Sequence, residues 1–133
     1  MIKKITAYIL SICVMCTCVI NFTVTAHAEP WGEYNSEDGM YHISTAQQLA
    51  ELSEATKQTG HPALGGKFVL DNDITIPATY DNQINIASDS KNPFFGTFDG
   101  NGHTITGLSH STYATDSGLF GFTDGALIKN LNI

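Results

Sequence analysis

Phe94-Phe95-Gly96-Thr97-Phe98-Asp99-Gly100-Asn101-Gly102-His103-Thr104-Ile105-Thr106-Gly107-Leu108 is the stretch on which the reading of the fold turns. Two short β-type runs flank a glycine-rich turn, the local grammar of a hairpin or of a solenoid corner. Its second half returns, weaker, as Leu127-Ile128-Lys129-Asn130-Leu131-Asn132-Ile133. Setting Ile105 against Ile128 puts Leu108 on Leu131 and His110 on Ile133, an offset of 23 residues. Both copies carry an apolar-x-x-apolar-x-apolar frame, with His110 as the departure. Gly107 and Asn130 both tolerate the left-handed backbone a sharp corner demands. A fixed period of this order implies stacked coils, each too thin to bury its apolar face alone. Residues 105–110 and 128–133 are therefore expected to lie directly over one another as successive rungs. Ile74-Thr75-Ile76 reads as a further, more diverged strand of the same face.

Working outward, the length of 133 residues bounds the chain to one domain, and its formal net charge is -7. All thirteen acidic residues lie from Glu29 onward, against four lysines in the same region, and the chain has no arginine. That field repels a phosphate backbone, so nucleic acid is excluded as an expected partner.

The N-terminus reads as a targeting segment. Lys3 and Lys4 form a positive n-region, Ile5 to Ile20 is apolar, and Ala26-His27-Ala28 is the small-x-small pattern a signal peptidase reads. The expectation is export with cleavage after Ala28, giving a signal peptide over 1–28 and a mature part over 29–133. The competing reading is an uncleaved membrane anchor, and the membrane enters only through this segment. Cys13, Cys16 and Cys18 all fall inside it. Residues 29–133 therefore hold neither a disulfide nor a thiolate metal site.

After the signal, Glu29 to Asp38 is polar and turn-rich and reads as a loose lead-in. Trp31 invites two readings, a sugar-stacking platform or a lid on the end of the core, and the lid carries more weight. Met40 to Ile43 reads as a short strand. Ser44-Thr45-Ala46-Gln47 has capping-box spacing and opens one amphipathic helix, which ends before His61-Pro62. Lys67 to Leu70 and Ile74 to Ile76 read as strands. Pro77 to Asn92 is long for a connection, either a functional excursion or a disordered insert. It contains Tyr80, a second aromatic placed to meet a ligand. Ser109 to Ser117 is another polar loop.

Chemistry is sparse. Asp71 and Asp73 point to one side of a strand and could ligate calcium or work as an acid/base pair; capping of their own backbone is the favoured reading. Asp99, Gly100, Asn101 and Gly102 lack EF-hand spacing, so a structural turn held by Asx hydrogen bonds is expected. The histidines are scattered, and no zinc motif, nucleophile elbow, phosphate loop or dinucleotide fingerprint is present. No catalytic, cofactor or metal residues are assigned.

The run Phe95 to Ile105, followed by Gly118-Leu119-Phe120-Gly121, resembles the GLUG-type right-handed β-helix modules of secreted bacterial surface proteins. Ile43 to Leu49 and Phe68 to Ile74 resemble the lead-in and cap that often precede them, so the likeness spans Met40 to Ile133. It implies a module found in adhesins, in surface proteins that interact with polysaccharide, and ahead of the catalytic part of immunoglobulin A1-cleaving zinc proteases. Polysaccharide lyases with related β-helices use a basic residue, often arginine, together with calcium; this chain has no arginine. The expected fold is mainly β: a capping helix plus the first coils of an incomplete right-handed parallel β-helix. The expected function is a non-catalytic secreted or cell-surface module contacting a glycan or host-surface polymer. The alternative is the leader of a secreted zinc protease or other polymer-degrading hydrolase. Because the final strand leaves an apolar edge, the chain is also expected to belong to a longer protein or to self-associate through that edge.

Overall fold

Four strands, β3 (Met40–Ile43), β4 (Lys67–Leu70), β6 (Thr97–Asp99) and β8 (Leu127–Lys129), lie side by side and parallel in a computed structural model that describes residues 27–110 and 117–133. Tyr41 faces Phe68, Phe68 faces Phe98 and Phe98 faces Ile128, so the chain returns to the same sheet after 27, 30 and 30 residues. On the other edge, β1 (His27–Glu29) and β2 (Gly32–Asn35) pair antiparallel with each other, and β2 pairs antiparallel with β3. The six-stranded mixed sheet therefore runs β1-β2-β3-β4-β6-β8. The fold is mainly β.

Further parallel contacts give the returning chain more sides. β5 (Ile74–Thr75) pairs with β7 (Ile105–Thr106), and single bridges join Ile86 to Phe120 and Phe94 to Thr123. The glycine-rich turn is a corner and not a hairpin, because β6 and β7 belong to different sheets. Ile74 does share a face with Ile105, as the sequence suggested.

The 23-residue register does not hold. Ile128 is the partner of Phe98, and the residue that bridges to the 128–133 segment from the second face is Thr104, opposite Asn132. The physical reason is that Ile105 and Ile128 occupy equivalent places just beside a corner, but on different faces. Similar apolar spacing at two corners imitates a repeat.

Period-two alternation builds the interior. Tyr34, Tyr41, Phe68 and Phe98 form one inward column whose neighbouring ring centroids are 5.1, 5.6 and 6.4 Å apart. Phe94 and Phe120 extend it, with Phe120 edge-on to Phe98 at 5.3 Å. Phe68, Phe94 and Phe98 are all fully buried, and aromatic pairs of this kind contribute about 0.5–1.5 kcal/mol beyond the area they bury. The stretch read as a long connection is part of this interior: Ile84, Ile86 and Ala87 are buried, after a 3-10 turn over Ala78–Tyr80. It is ordered chain packed on the core rather than a disordered insert.

α1 (Ala46–Ala55) lies across the 83–87 segment. Leu49, Leu52 and Ala55 are buried, and Ser53 and Thr56 reach the backbone beneath them. Ser53 Oγ receives the Asn85 amide at 2.9 Å and lies 2.9 Å from the Asn85 carbonyl. Thr56 Oγ1 receives the Ala87 amide at 2.9 Å. The N-cap is Thr45 and not Ser44: its side chain accepts from the Gln48 amide, and Gln48 Oε1 accepts from the amides of Ser44 and Thr45. Ser-Thr followed by Ala-Gln-Gln satisfies the spacing twice, one residue apart, so spacing alone could not choose between them.

The segment expected to be a loose lead-in forms the last residue of β1, all of β2 and the turn before β3. The targeting segment and its cysteines lie outside the described residues, except that His27 and Ala28 belong to β1. Residues 111–116 of the second polar loop also lie outside them.

Candidate functional site

The solvent face of α1 is bordered on both sides by grooves. One, of about 330 Å³, is lined by Gln47, Glu51, Glu54, Tyr80, Asn82 and Gln83. The other, of about 200 Å³, is lined by Pro30, Trp31, Glu51, Glu54, Gln58 and His61. Tyr80 and Trp31, the two aromatics singled out from the sequence, thus flank one helix, and the grooves share Glu51 and Glu54.

Local structure explains the placement. Tyr80 ends the Ala78–Tyr80 turn, where its amide donates to the Pro77 carbonyl at 2.9 Å, and its ring packs partly against the core. Gln83 Nε2 donates to the Thr79 carbonyl at 2.7 Å, fixing that side chain in the groove wall. Glu54 pairs with Lys57 at 2.6 Å, one turn on along the helix.

Trp31 sits between β1 and β2, edge-on to His61 (5.0 Å) and to Tyr41 (6.4 Å). It is half buried against the core, and its Nε1 is shielded from solvent without a hydrogen-bond partner among the described residues. The ring acts as a wall of its groove and a lid on the apolar end beneath it.

A second set of side chains follows the corner at the ends of β4, β6 and β8. Asp99 Oδ1 accepts the Asn101 amide at 2.9 Å and Asn130 Nδ2 at 3.0 Å, while Oδ2 pairs with Lys129 at 3.0 Å. The Asn101 amide, then the Lys129 and Asn130 side chains, hold the Asp99 carboxyl below the usual carboxylate range. Asn101 and Asn130 both take left-handed backbone, with φ of 52°. At Gly100 a Cβ would overlap the Asn130 carbonyl oxygen of the next strand's corner, which is why glycine stands there. Gly102, also left-handed, donates its amide to that same carbonyl at 2.8 Å.

Asp71 and Asp73 do not converge. Asp71 meets His42 and the Ser44 hydroxyl, whereas Asp73 accepts the Thr104 amide at 2.9 Å and faces His103 Nδ1 at 3.2 Å. These contacts, the Thr104 amide foremost, lower the Asp73 pKa. Among the described residues no group of His, Cys, Asp or Glu is arranged to hold a metal ion. What the α1 face offers chemically is aromatic edges beside carboxylate and amide groups, a set suited to hydroxyl-rich ligands.

Comparison with known proteins found no matching family model, no matching curated protein and no matching solved structure. The likeness to GLUG-type modules therefore rests on the residues quoted above.

Sequence reasoning missed Glu51, Glu54, Gln47 and Gln83. Glu51, Glu54 and Gln83 read as ordinary polar positions of a solvated helix and loop, and Gln47 as a capping residue; only the packing of the 78–87 segment beside α1 brings them together. It also missed the grouping of His42 with Asp38 and Asp71. The signal there was a histidine four residues beyond an Asp-Gly turn, with an aspartate one 27–30-residue return later.

Proposed function

We propose that the chain is a non-catalytic, secreted or cell-surface module: the capped start of a right-handed β-helix that contacts a glycan or host-surface polymer through the face of α1. The observation that carries this reading is the placement of Trp31 and Tyr80 on either side of α1, in grooves that share Glu51 and Glu54. Carboxylates and side-chain amides accept and donate to sugar hydroxyls, and an aromatic ring supplies the apolar surface of a pyranose face with a partner. The parallel returns at 27, 30 and 30 residues support the β-helix. The apolar run followed by Ala26-His27-Ala28 supports export. Leu127, Ile128 and Ile133 are exposed on and beside β8, which supports the expected edge pairing, whether with further coils or with a second copy.

The test is calorimetric titration of the full chain with purified cell-wall polysaccharide. Tyr80→Ala is expected to weaken binding about two- to tenfold, the range that loss of one aromatic contact gives. A full chain that binds no cell-wall glycan removes the glycan version of the reading. Tyr80 is the cleaner probe, because Trp31 also covers the core.

A further inference from the structure

The ring of His42, in β3, lies between two carboxylates. Nδ1 is 2.6 Å from Asp71 Oδ1 and Nε2 is 2.9 Å from Asp38 Oδ2. An ionised carboxylate only accepts hydrogen bonds, so both contacts are satisfied together only when both ring nitrogens carry protons. Asp38 belongs to the turn between β2 and β3, where its Oδ1 also accepts the Met40 amide at 2.9 Å. Asp71 follows β4; its Oδ2 accepts from Ser44 Oγ at 3.2 Å, just ahead of α1. One imidazole thus ties together the tip of the hairpin, the strand it stands on and the exit of the neighbouring parallel strand.

The surroundings favour charge on that ring. On β2 its register partner is Glu33, a further carboxylate, and on β4 its partner is the neutral Val69. The next residue in that row, Asp99, is paired with Lys129, and the cation on the same side of β4 is Lys67, exposed two residues before Val69.

We propose that His42 is a proton-operated clasp: charged, it fastens the β2–β3 hairpin to the end of β4, and on losing its proton it releases one of the two carboxylates. The hairpin contributes Tyr34 and Tyr41 to the aromatic column, and Tyr41 touches Trp31, so loosening there reaches the wall of the Trp31 groove. The clasp does not depend on the glycan reading.

The sign follows from the two partners. Burial works against the charged ring, but the hydrogen bonds to Asp71 and Asp38 and their charges outweigh it, and the His42 pKa is raised. Asp38 is lowered, first by its bond to His42. The His42 contribution is complete below the unfolded histidine value of about 6.5 and fades as pH rises through the raised folded value. On the acid side the Asp38 contribution fades as pH falls below about 4. The clasp is closed in mildly acidic medium and opens as pH rises through the raised His42 value.

The experiment is a proton NMR titration of the histidine rings of the full chain, with His42 assigned by its absence in His42→Gln. It is paired with amide hydrogen exchange, corrected for the intrinsic rate. Expected are a His42 midpoint above about 6.5 that moves down in Asp71→Asn, and a protection of the β2 and β3 amides that falls about three- to tenfold from pH 6 to pH 8. His42→Gln should remove that fall. If it does not fold, Asp38→Asn, on the exposed turn, should lower the His42 midpoint and shrink the fall. A His42 midpoint at or below about 6.5 overturns the proposal, as does a fall in protection that persists in His42→Gln or, where that variant is unfolded, in Asp38→Asn.

Discussion

Phe98 and Ile128 are register partners on adjacent parallel strands, yet Phe98 is fully buried while Ile128 remains 40% exposed. The inward column continues into β8 chemically, and among the described residues no strand pairs with the far edge of β8. Truncation should register this difference. Phe98→Ala is expected to cost about 3–5 kcal/mol in urea unfolding, with Ile128→Ala costing clearly less.

The same pair tests the register. A double-mutant cycle on Phe98 and Ile128 should give a coupling of at least about 0.5 kcal/mol, whereas Ile105 with Ile128 should be additive. Coupling confined to the Ile105 pair would restore the 23-residue alignment and displace the 30-residue one.

Ser53 and Thr56 join α1 to the strand-like segment beneath it through the amides of Asn85 and Ala87. Both hydroxyls are fully buried. Ser53→Ala or Thr56→Val leaves a buried N–H without its acceptor, at a cost of about 1–3 kcal/mol each. Gln47→Ala, on the exposed face of the same helix, should stay within about 0.5 kcal/mol. Equal effects at all three positions would mean that α1 does not lie on the 83–87 segment.

Much of this architecture could be read from residue order, and the failures share a cause. The strand at Met40–Ile43, the helix and the strand at Lys67–Leu70 follow from local alternation, capping chemistry and breakers, all of which act within a few residues. Which strand lies on which is set by coil length, and that depends on how far an irregular segment such as 77–92 travels before turning back. Nothing in the local order of 77–92 shows that Ile84 and Ile86 are buried, with Ile86 bridging to Phe120. The corner was legible because left-handed backbone leaves a mark in residue type, at Asn101, Gly102, Gly107 and Asn130. The grooves were not, since Glu51 and Gln83 become neighbours only through packing.

Gly107 makes that corner chemistry measurable. Its φ is 78°, and a Cβ would run into the Ile76 carbonyl on the preceding strand; at Gly125, with φ of 72°, a Cβ would meet nothing within 4 Å. Gly125→Ala should therefore cost only the left-handed penalty of about 1–2 kcal/mol, and Gly107→Ala measurably more. Asn101→Gly relieves a φ of 52° but gives up the side-chain contact to the Leu70 carbonyl, so it should be close to neutral.

Acid should act through the corner carboxylates. Asp73 and Asp99 both titrate below the usual carboxylate range, held there first by the backbone amides of Thr104 and Asn101 respectively. A depressed folded pKa contributes stability above the unfolded value, near 3.9, that is lost as pH falls through the folded one. The urea midpoint is therefore expected to drop as pH is lowered below about 4. Asp99→Asn keeps an acceptor for the Asn101 amide but cannot titrate, so its midpoint should start lower at pH 7 and decline less steeply in acid. An Asp99→Asn curve parallel to that of the parent chain would show that the Asp99 bonds to Asn101, Asn130 and Lys129 do not hold this corner in solution.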